Sequence, residues 1–520
     1  MPSRATSPLS AALCAIVTCA LAPACKRSAP ADPGADHQVL SEALRLRDTD
    51  PLPRTSPFFD GTTLRLVAAR GETVAFQVRH RNPDTTWFHV KANGVSLRSY
   101  AMESVTAKRS STRGIYGATH GAGRYPDSLI PVIESAGRHF ATTYFFEVVV
   151  ARDADAGTFS GQILIDGRAM PVELTILPLA LPEQPPRVWA YYDPRELAWA
   201  KLGTGTIEAP SEHEKKCIAM FHDYGVVLSV DLTPAAWPAR KDLLGDFPYV
   251  PVRLPKEPAA AAADVRAWIE LTRGTGKLPF AIPIDEPRKP DARAKVKELA
   301  TAVREAGGGP STFLYAVTSK PHPDFADLVD LYITLEPKRT DTFPRWTYNG
   351  APPRAGSFLL DALSPGPRTW GWIGHRYNVP VWYIWDALYW HDRHNRKGAP
   401  LPGRGFSLDD AISFDDGEDH GNLDGVLALS GDDTTPCRPT LRLAAIRRGM
   451  QDRQLIELAA RCKPEDTAKL VEQMVPRALG DMPGKYPPGE GTPSWPRDDA
   501  AWEAARRKLH ELAACNVTPR

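Results

Sequence analysis

Apolar and polar residues alternate with a period of two through the stretch that follows residue 56. Thr73-Val-Ala-Phe-Gln-Val-Arg79 sets Val74, Phe76 and Val78 on one face and polar partners on the other. Ile163-Leu-Ile165 and Val172-Glu-Leu-Thr-Ile176 repeat the pattern, and Ala156-Gly157 and Asp166-Gly167 supply turns between such runs. No helical period persists here. The pattern predicts an antiparallel β-sandwich over residues 56–183.

The pattern changes after the proline cluster Leu181-Pro-Glu-Gln-Pro-Pro186. Strand-like runs now begin at Val188, Val226, Phe280, Phe313, Leu331, Ser357, Val379 and Gly425, with helical segments at 259–271 and 292–306 between them. Tyr249-Val-Pro-Val-Arg253 is a further strand candidate. Eight strands with helical crossovers over residues 184–440 predict a (β/α)8 TIM-type barrel. A doubly wound open sheet is the alternative, disfavoured because no Gly-rich phosphate loop follows an early strand. From Thr440 the chain turns helical. Leu441, Leu443, Ile446, Met450, Leu455 and Leu458 share a face, so residues 441–520 are predicted to be C-terminal helices packed on the barrel.

Chemistry concentrates in Phe280-Ala-Ile-Pro-Ile-Asp-Glu-Pro287, an apolar strand that ends in two carboxylates. Such a pair is costly in a strand interior and tolerated at a strand mouth. Paired carboxylates there suit the cleavage of a glycosidic bond. The competing reading is that Asp285 and Glu286 cap the helix after Pro287. They end the third barrel strand, or the fourth if residues 249–253 form one. Val379-Pro-Val-Trp-Tyr-Ile-Trp-Asp-Ala-Leu-Tyr-Trp390 holds five aromatics, of which Tyr383, Trp385 and Trp390 are candidates to floor a sugar site. Tyr192, Asp193 and Glu336 are further mouth positions. No metal is expected: His391-Asp-Arg-His394 has no third ligand nearby, and Asp415-Asp-Gly-Glu-Asp419 lacks calcium-loop spacing. No cofactor motif occurs, and the absence of Gly-x-Ser-x-Gly removes the commonest serine hydrolase arrangement.

Residues 1–24 read as a leader, with Arg4 ahead of an apolar stretch from Leu9 to Leu21. Leu21-Ala-Pro-Ala-Cys25 resembles a bacterial lipobox, so Cys25 is the predicted lipidation site and the membrane the predicted anchor. A plain cleaved signal peptide is the alternative. Either way the chain is expected to leave the cytoplasm, and with the lipid to sit in the cell envelope, with residues 25–55 as a flexible tether. Lys+Arg 63 against Asp+Glu 62 gives no basic surplus, which argues against a nucleic-acid partner. Cys217, Cys437, Cys462 and Cys515 follow the leader, and Cys462 with Cys515 is the preferred disulfide because they flank one helical region.

Several segments together carry a resemblance. Gly71-Glu-Thr-Val-Ala-Phe-Gln77, Tyr125-Pro-Asp-Ser-Leu-Ile-Pro131, Ala156-Gly-Thr-Phe-Ser-Gly161, Leu179-Ala-Leu-Pro182, Asp285-Glu286-Pro287 and Arg442-Leu-Ala-Ala-Ile-Arg-Arg-Gly-Met-Gln-Asp452 occur in order. This resembles glycoside hydrolase family 123 and its relatives, the domain of unknown function 4091. Gln451-Asp452-Arg453 departs from the Glu-Asp-Tyr usual in that helix. The resemblance implies substrate-assisted, retaining hydrolysis of a β-linked N-acetylhexosamine such as N-acetylgalactosamine. It implies Glu286 as general acid and Asp285 as partner of the substrate's own 2-acetamido nucleophile. The other class open to the sequence is a non-catalytic glycan-binding surface lipoprotein on the same scaffold.

Overall fold

The structure, a computed structural model, describes residues 37–133, 140–165, 167–391, 405–484 and 491–516. The leader and Cys25 lie outside the described residues.

Nine strands come first: β1 (His37–Ser41), β2 (Leu64–Arg70), β3 (Thr73–Asp84), β4 (Thr86–Val90), β5 (Val95–Ala107), β6 (Gly123–Pro131), β7 (Ala141–Val150), β8 (Gly157–Ile165) and β9 (Arg168–Ala180), with a short helix α1 (Arg113–Tyr116) between β5 and β6. They form a five-stranded sheet, β1-β3-β7-β5-β6, and a four-stranded sheet, β2-β9-β8-β4. All pairs are antiparallel except β2 with β9, which run parallel. Val74, Phe76, Val78 and Phe146 of the first sheet share one apolar cluster with Leu66, Ile163 and Leu174 of the second. Phe76 lies opposite Phe146 in register, and their rings stack with centroids 5.3 Å apart.

Two expectations need correction here. The polar positions of Thr73–Arg79 in β3 do not face solvent. Ala75, Tyr100, Leu129 and Phe145 on the other face of the five-stranded sheet join the main core of the chain, so that sheet is covered on both sides. Residues 37–50 are also not tether. β1 pairs with β3, and the segment after it covers the buried polar groups of β3. Gln77 donates Nε2 to the carbonyls of Ser41 (2.9 Å) and Leu44 (2.8 Å), and Arg79 donates to that of Arg47 (2.8 Å). A buried amide and guanidinium need acceptors, and this segment supplies them.

Eight short strands follow: β10 (Val188–Tyr191), β11 (Val226–Ser229), β12 (Tyr249–Pro251), β13 (Leu278–Ala281), β14 (Leu314–Val317), β15 (Leu331–Ile333), β16 (Arg345–Tyr348) and β17 (Trp382–Ile384). They make one sheet in the order β11-β10-β17-β16-β15-β14-β13-β12, parallel throughout. A parallel bridge between Leu232 and Val252 joins the two ends and nearly closes the ring. Asp285 and Glu286 therefore follow the fourth strand. Helices α2 (Pro194–Trp199), α3 (Glu212–Asp223), α4 (Trp237–Arg240), α5 (Pro258–Thr272), α6 (Pro290–Glu305) and α7 (Thr369–Arg376) occupy the connections, but no helix lies between β14 and β15 or between β15 and β16.

Two predicted barrel strands are not part of the ring. Ser357–Leu360 is a buried loop. The run from Gly425 yields β20 (Ala428–Ser430), which pairs antiparallel with β21 (Cys437–Pro439), beyond a hairpin of β18 (Ile412–Asp415) and β19 (His420–Asn422). Short apolar runs are buried wherever they fall, so burial alone does not identify a strand. β16, which opens on Arg345 and carries no apolar run, takes a place in the ring instead.

The chain ends in α8 (Leu441–Cys462), α9 (Pro464–Met474) and α10 (Asp499–Leu512). The α8 helix is buried on nearly every side, polar residues included, because its arginines enter ion pairs rather than solvent. Arg448 bonds Asp452 (3.2 Å) and Glu72 (2.7 Å); Arg506 of α10 bonds Glu72 (2.9 Å) and Glu503 (3.1 Å). Arg368, at the start of α7, bonds Asp452 (2.8 Å) and Glu503 (2.5 Å), and Trp372 donates Nε1 to Asp452 (3.0 Å). Three arginines meet three carboxylates with essentially no exposure. Burial opposes ionisation of Glu503, but Arg368, Arg506 and Arg448 overcome it and hold its carboxyl down to about 2. Glu42, close by, goes the other way. Burial pushes it up to about 7, with Arg448 opposing and Glu503 adding to the rise. Disulfides join Cys462 to Cys515, as preferred from the sequence, and Cys217 of α3 to Cys437 of β21.

Two stability predictions follow from the cluster. Asp452→Ala takes a carboxylate partner from Arg368 and from Arg448 and leaves Trp372 Nε1 without its acceptor, and it should cost about 3–5 kcal/mol in urea unfolding. Glu42 is protonated in the fold and ionised when unfolded between its ordinary 4.5 and about 7, so the stability due to its neutral form is lost as pH rises through that window. Glu42→Gln should therefore stabilise by on the order of 2 kcal/mol above pH 7 and change little near pH 4. Unfolding curves at the two pH values check this.

Candidate active site

The interior of the ring is packed with aromatic rings. Trp189 (β10), Tyr249 (β12), Phe280 (β13), Trp346 (β16) and Tyr383 (β17) touch one another in turn, with centroids 4.6–6.3 Å apart where they meet. Trp189 and Tyr383 stack at 4.6 Å and form the floor of a cavity at the C-terminal ends of the strands. The cavity holds about 450 Å³, within the range of small-ligand sites.

Asp285 and Glu286 both line it. Thr318, just past the end of the adjacent strand β14, ties them together. Its hydroxyl donates to Asp285 Oδ1 (2.5 Å) and accepts from the Glu286 backbone N–H (2.7 Å). Glu286 has φ +39°, a conformation that costs a non-glycine residue energy and brings its carboxyl to the same side as that of Asp285. Strand alternation alone would have sent the two acids apart. Burial raises the Glu286 carboxyl above the ordinary carboxylate range; Arg288, whose Nη2 lies 2.6 Å from Oε2, lowers it, and the Asp285 charge raises it again. Arg288 is 73% exposed, so this partner sits at the rim.

The walls come from distant parts of the chain. Tyr116 of α1 donates its hydroxyl to Asp424 (2.6 Å), and Trp385 donates Nε1 to the other oxygen of Asp424 (3.0 Å). Asn349, after β16, has φ +54° and accepts from the Trp385 backbone through Oδ1 (3.2 Å). Gly350 (φ +82°) follows it, and a Cβ there would sit 2.1 Å from the carbonyl of Gly356, so only glycine fits. Asp231, beyond β11, faces the cavity, and burial pushes its carboxyl up to about 7 against the opposing charge of Arg253.

Four of the eight site residues expected on the strands and their mouths meet here: Asp285, Glu286, Tyr383 and Trp385. Two are core residues and are withdrawn as ligand contacts. Tyr192 is fully buried behind β10, bonded through its hydroxyl to Glu214 and Arg240. Trp390 is buried with Nε1 on the carbonyl of Ala428 (2.8 Å). Glu336 turns outward to Lys320 (3.1 Å), while Leu335 lines the cavity. Asp193 caps α2 through the Arg195 N–H (3.0 Å) and lines a neighbouring cavity. Tyr191, Asp231, Thr318, Asn349 and Asp424 were missed. Tyr191 was readable, since it shares the parity of Trp189; the others stand in loops where no period operates.

A comparison with solved structures meets the geometry at this point. A family 123 glycoside hydrolase from Clostridium perfringens, studied for glycolipid glycan hydrolysis, superposes over 92% of this chain and 98% of its own, with a TM-score of 0.60 at 12% identity. The two chains share one fold. The resemblance carried by the short sequence segments thus holds for the architecture of nearly the whole chain. Two further matches are partial: domains 4 and 5 of the S-layer protein SbsC (10% identity, 23% of this chain and 49% of that one, TM-score 0.13) and the seventh ScaB type I cohesin from Pseudobacteroides cellulosolvens (12% identity, 24% and 94%, TM-score 0.12). Neither bears on the site. No protein-family model and no curated protein matches the sequence.

The electrostatics of the pair yield a direct test. Asp285→Asn should lower the titration midpoint of Glu286, because it removes a like charge, and Arg288→Gln should raise it, because it removes the opposite one. The side-chain carboxyl carbon of Glu286, followed by ¹³C NMR, reports both shifts.

Proposed function

We propose that this chain is a glycoside hydrolase that acts on β-linked N-acetylhexosamine glycans, N-acetylgalactosamine-like, by a substrate-assisted retaining mechanism. The observation that carries the reading is the pair Asp285–Glu286 in an aromatic-floored cavity at the strand ends, with Glu286 biased toward its protonated form. Glu286 would protonate the departing glycosidic oxygen. Asp285, fixed by Thr318 through one oxygen, has its other oxygen for the N–H of the substrate's 2-acetamido group. It would orient the acetamido carbonyl for attack on the anomeric carbon and stabilise the charge that develops on nitrogen. The rule that reads stereochemistry from carboxylate separation does not apply, since the nucleophile belongs to the substrate. Trp385 and Tyr383 offer aromatic surface to the sugar ring. The likeness to the Clostridium enzyme supports the hydrolase class, and with it we read the first two sheets as a β-sandwich and the parallel ring as a TIM-type barrel shorn of two helices. Attachment to the cell envelope through a lipid at Cys25 belongs to the same proposal and is supported by Leu21-Ala-Pro-Ala-Cys25.

One observation favours a second reading, a glycan-binding protein without turnover. An acid held 2.6 Å from a guanidinium is a poor proton donor until that partner leaves. The exposure of Arg288 makes its departure on substrate binding cheap, which is why the enzyme reading is preferred.

Kinetics separate the two. On a poor leaving group, Glu286→Gln should lose about two to four orders of magnitude in rate, and less on an activated aryl glycoside. Asp285→Asn should slow both kinds of substrate alike. Hexosides with a 2-hydroxyl should turn over poorly, because they bring no nucleophile. Equal activity on hexosides and N-acetylhexosaminides would exclude the substrate-assisted route, and tight binding without turnover would establish the second reading. Mass spectrometry of the mature N-terminus tests lipidation at Cys25.

A further inference from the structure

The cavity above the aromatic floor does not end at its wall. Tyr191 and Asp231 line it on one side and also line a second cavity of about 540 Å³. The two therefore adjoin, with these residues as the waist between them. The second compartment differs in character. Among the described residues no aromatic floor lies under it, and its charged lining is Asp193, Arg195, Asp231 and Arg253.

Its described charges differ in how they are partnered. Arg195 is bonded to Asp193 through Nε (3.1 and 3.0 Å) and Nη2 (2.5 Å), and its guanidinium also lies over the exposed ring of Trp199, 5.8 Å from the centroid. The two are held against each other by these bonds. Arg253, just past β12, is exposed, and among the described residues no carboxylate lies within ion-pair distance of it. The remaining acid is Asp231 at the waist. Burial pushes its carboxyl up to about 7, so below neutral pH it is largely uncharged and can donate a hydrogen bond. Tyr191 and Tyr383 face the same waist, burial holds the Tyr383 hydroxyl well above its ordinary range, and Asp285 lines the first cavity only. Among the described residues, Arg253 is thus the cation of this compartment with no carboxylate at ion-pair distance.

We propose that this compartment is a second sugar subsite that takes the unit next to the hexosamine when that unit carries an anion, either a carboxylate or a sulfate ester. The proposal rests on the glycosidase reading for the identity of the first sugar. Arg253 supplies the charge, and protonated Asp231 donates to the same unit. As pH rises and Asp231 ionises, its negative charge sets itself against the ligand's anion, so the preference for an anionic unit weakens.

The test is calorimetric binding to the Glu286→Gln protein, which removes the proposed acid. Three probes are used: an N-acetylgalactosaminyl-glucuronate disaccharide, its neutral glucose counterpart, and that counterpart bearing a sulfate. At pH 6 at least one acidic probe should bind about tenfold more tightly than the neutral one, the worth of one charge-assisted hydrogen bond. Arg253→Gln should erase the difference and Arg253→Lys should keep most of it. Should Arg253→Gln not fold, added salt serves instead: it should weaken the acidic probes and spare the neutral one. Equal binding of all three probes, or of none, or a preference that survives Arg253→Gln, overturns the subsite. Turnover of a chromogenic N-acetylhexosaminide by the unsubstituted protein is measured in parallel. Turnover without an acidic preference refutes the subsite alone; an acidic preference without turnover refutes the glycosidase reading and leaves the subsite standing.

Discussion

The rest of the molecule is organised around the buried exchange of charge among Arg368, Arg448, Arg506, Glu72, Asp452 and Glu503. These six come from four places in the chain: the turn before β3, the start of α7, α8 and α10. Among the six, each carboxylate is shared by two arginines and each arginine by two carboxylates, so removing one group weakens the pairing of two others. Buried ion pairs contribute little net stability compared with well-packed apolar residues, yet they tolerate almost no displacement. Their effect here is one of placement. The C-terminal helices, the first sheet and the flank of the parallel ring can meet in one arrangement, and α8 carries polar residues on all sides because each side meets a different partner.

That placement reaches the cavity. The first half of the chain supplies Tyr116, which together with Trp385 fixes Asp424. The ring supplies the floor and the acids. A cavity wall assembled from both halves keeps its shape only if the halves stay in register, which the distant ion cluster enforces. The ring itself is filled by five large aromatic rings rather than by layers of branched aliphatics. Flat rigid side chains lose little freedom on packing, so the floor is smooth and stiff where a sugar face would rest.

Much of this was legible where a period of two runs into a chemical signal. Phe280 to Glu286 reads as a strand followed by acids because the two are contiguous, and Tyr383 with Trp385 share one parity. Parity also explains the errors. Tyr192 was chosen over Tyr191, yet the inward series is Trp189 and Tyr191, and one step along the strand sends Tyr192 to Glu214 and Arg240. Glu336 fails in the same way beside Leu335. The loop residues Asp231, Thr318 and Asn349 carry no pattern, because their positions are set by strands elsewhere in the ring. The polar face of β3 misled for a different reason: its covering came from residues 41–48, which continue from the Pro- and Gly-containing stretch Pro30-Ala-Asp-Pro-Gly34 and so read with it as tether.

The bond between Cys217 and Cys437 joins α3, early in the ring, to β21, beyond its last strand. Seven of the eight ring strands lie inside the covalent loop that it closes. A single cut of the backbone anywhere in that loop leaves both fragments attached, so the ring behaves as a hooped barrel that survives a broken stave. Loops that project from the cavity rim can therefore be long, altered or nicked without the two ends of the barrel drifting apart.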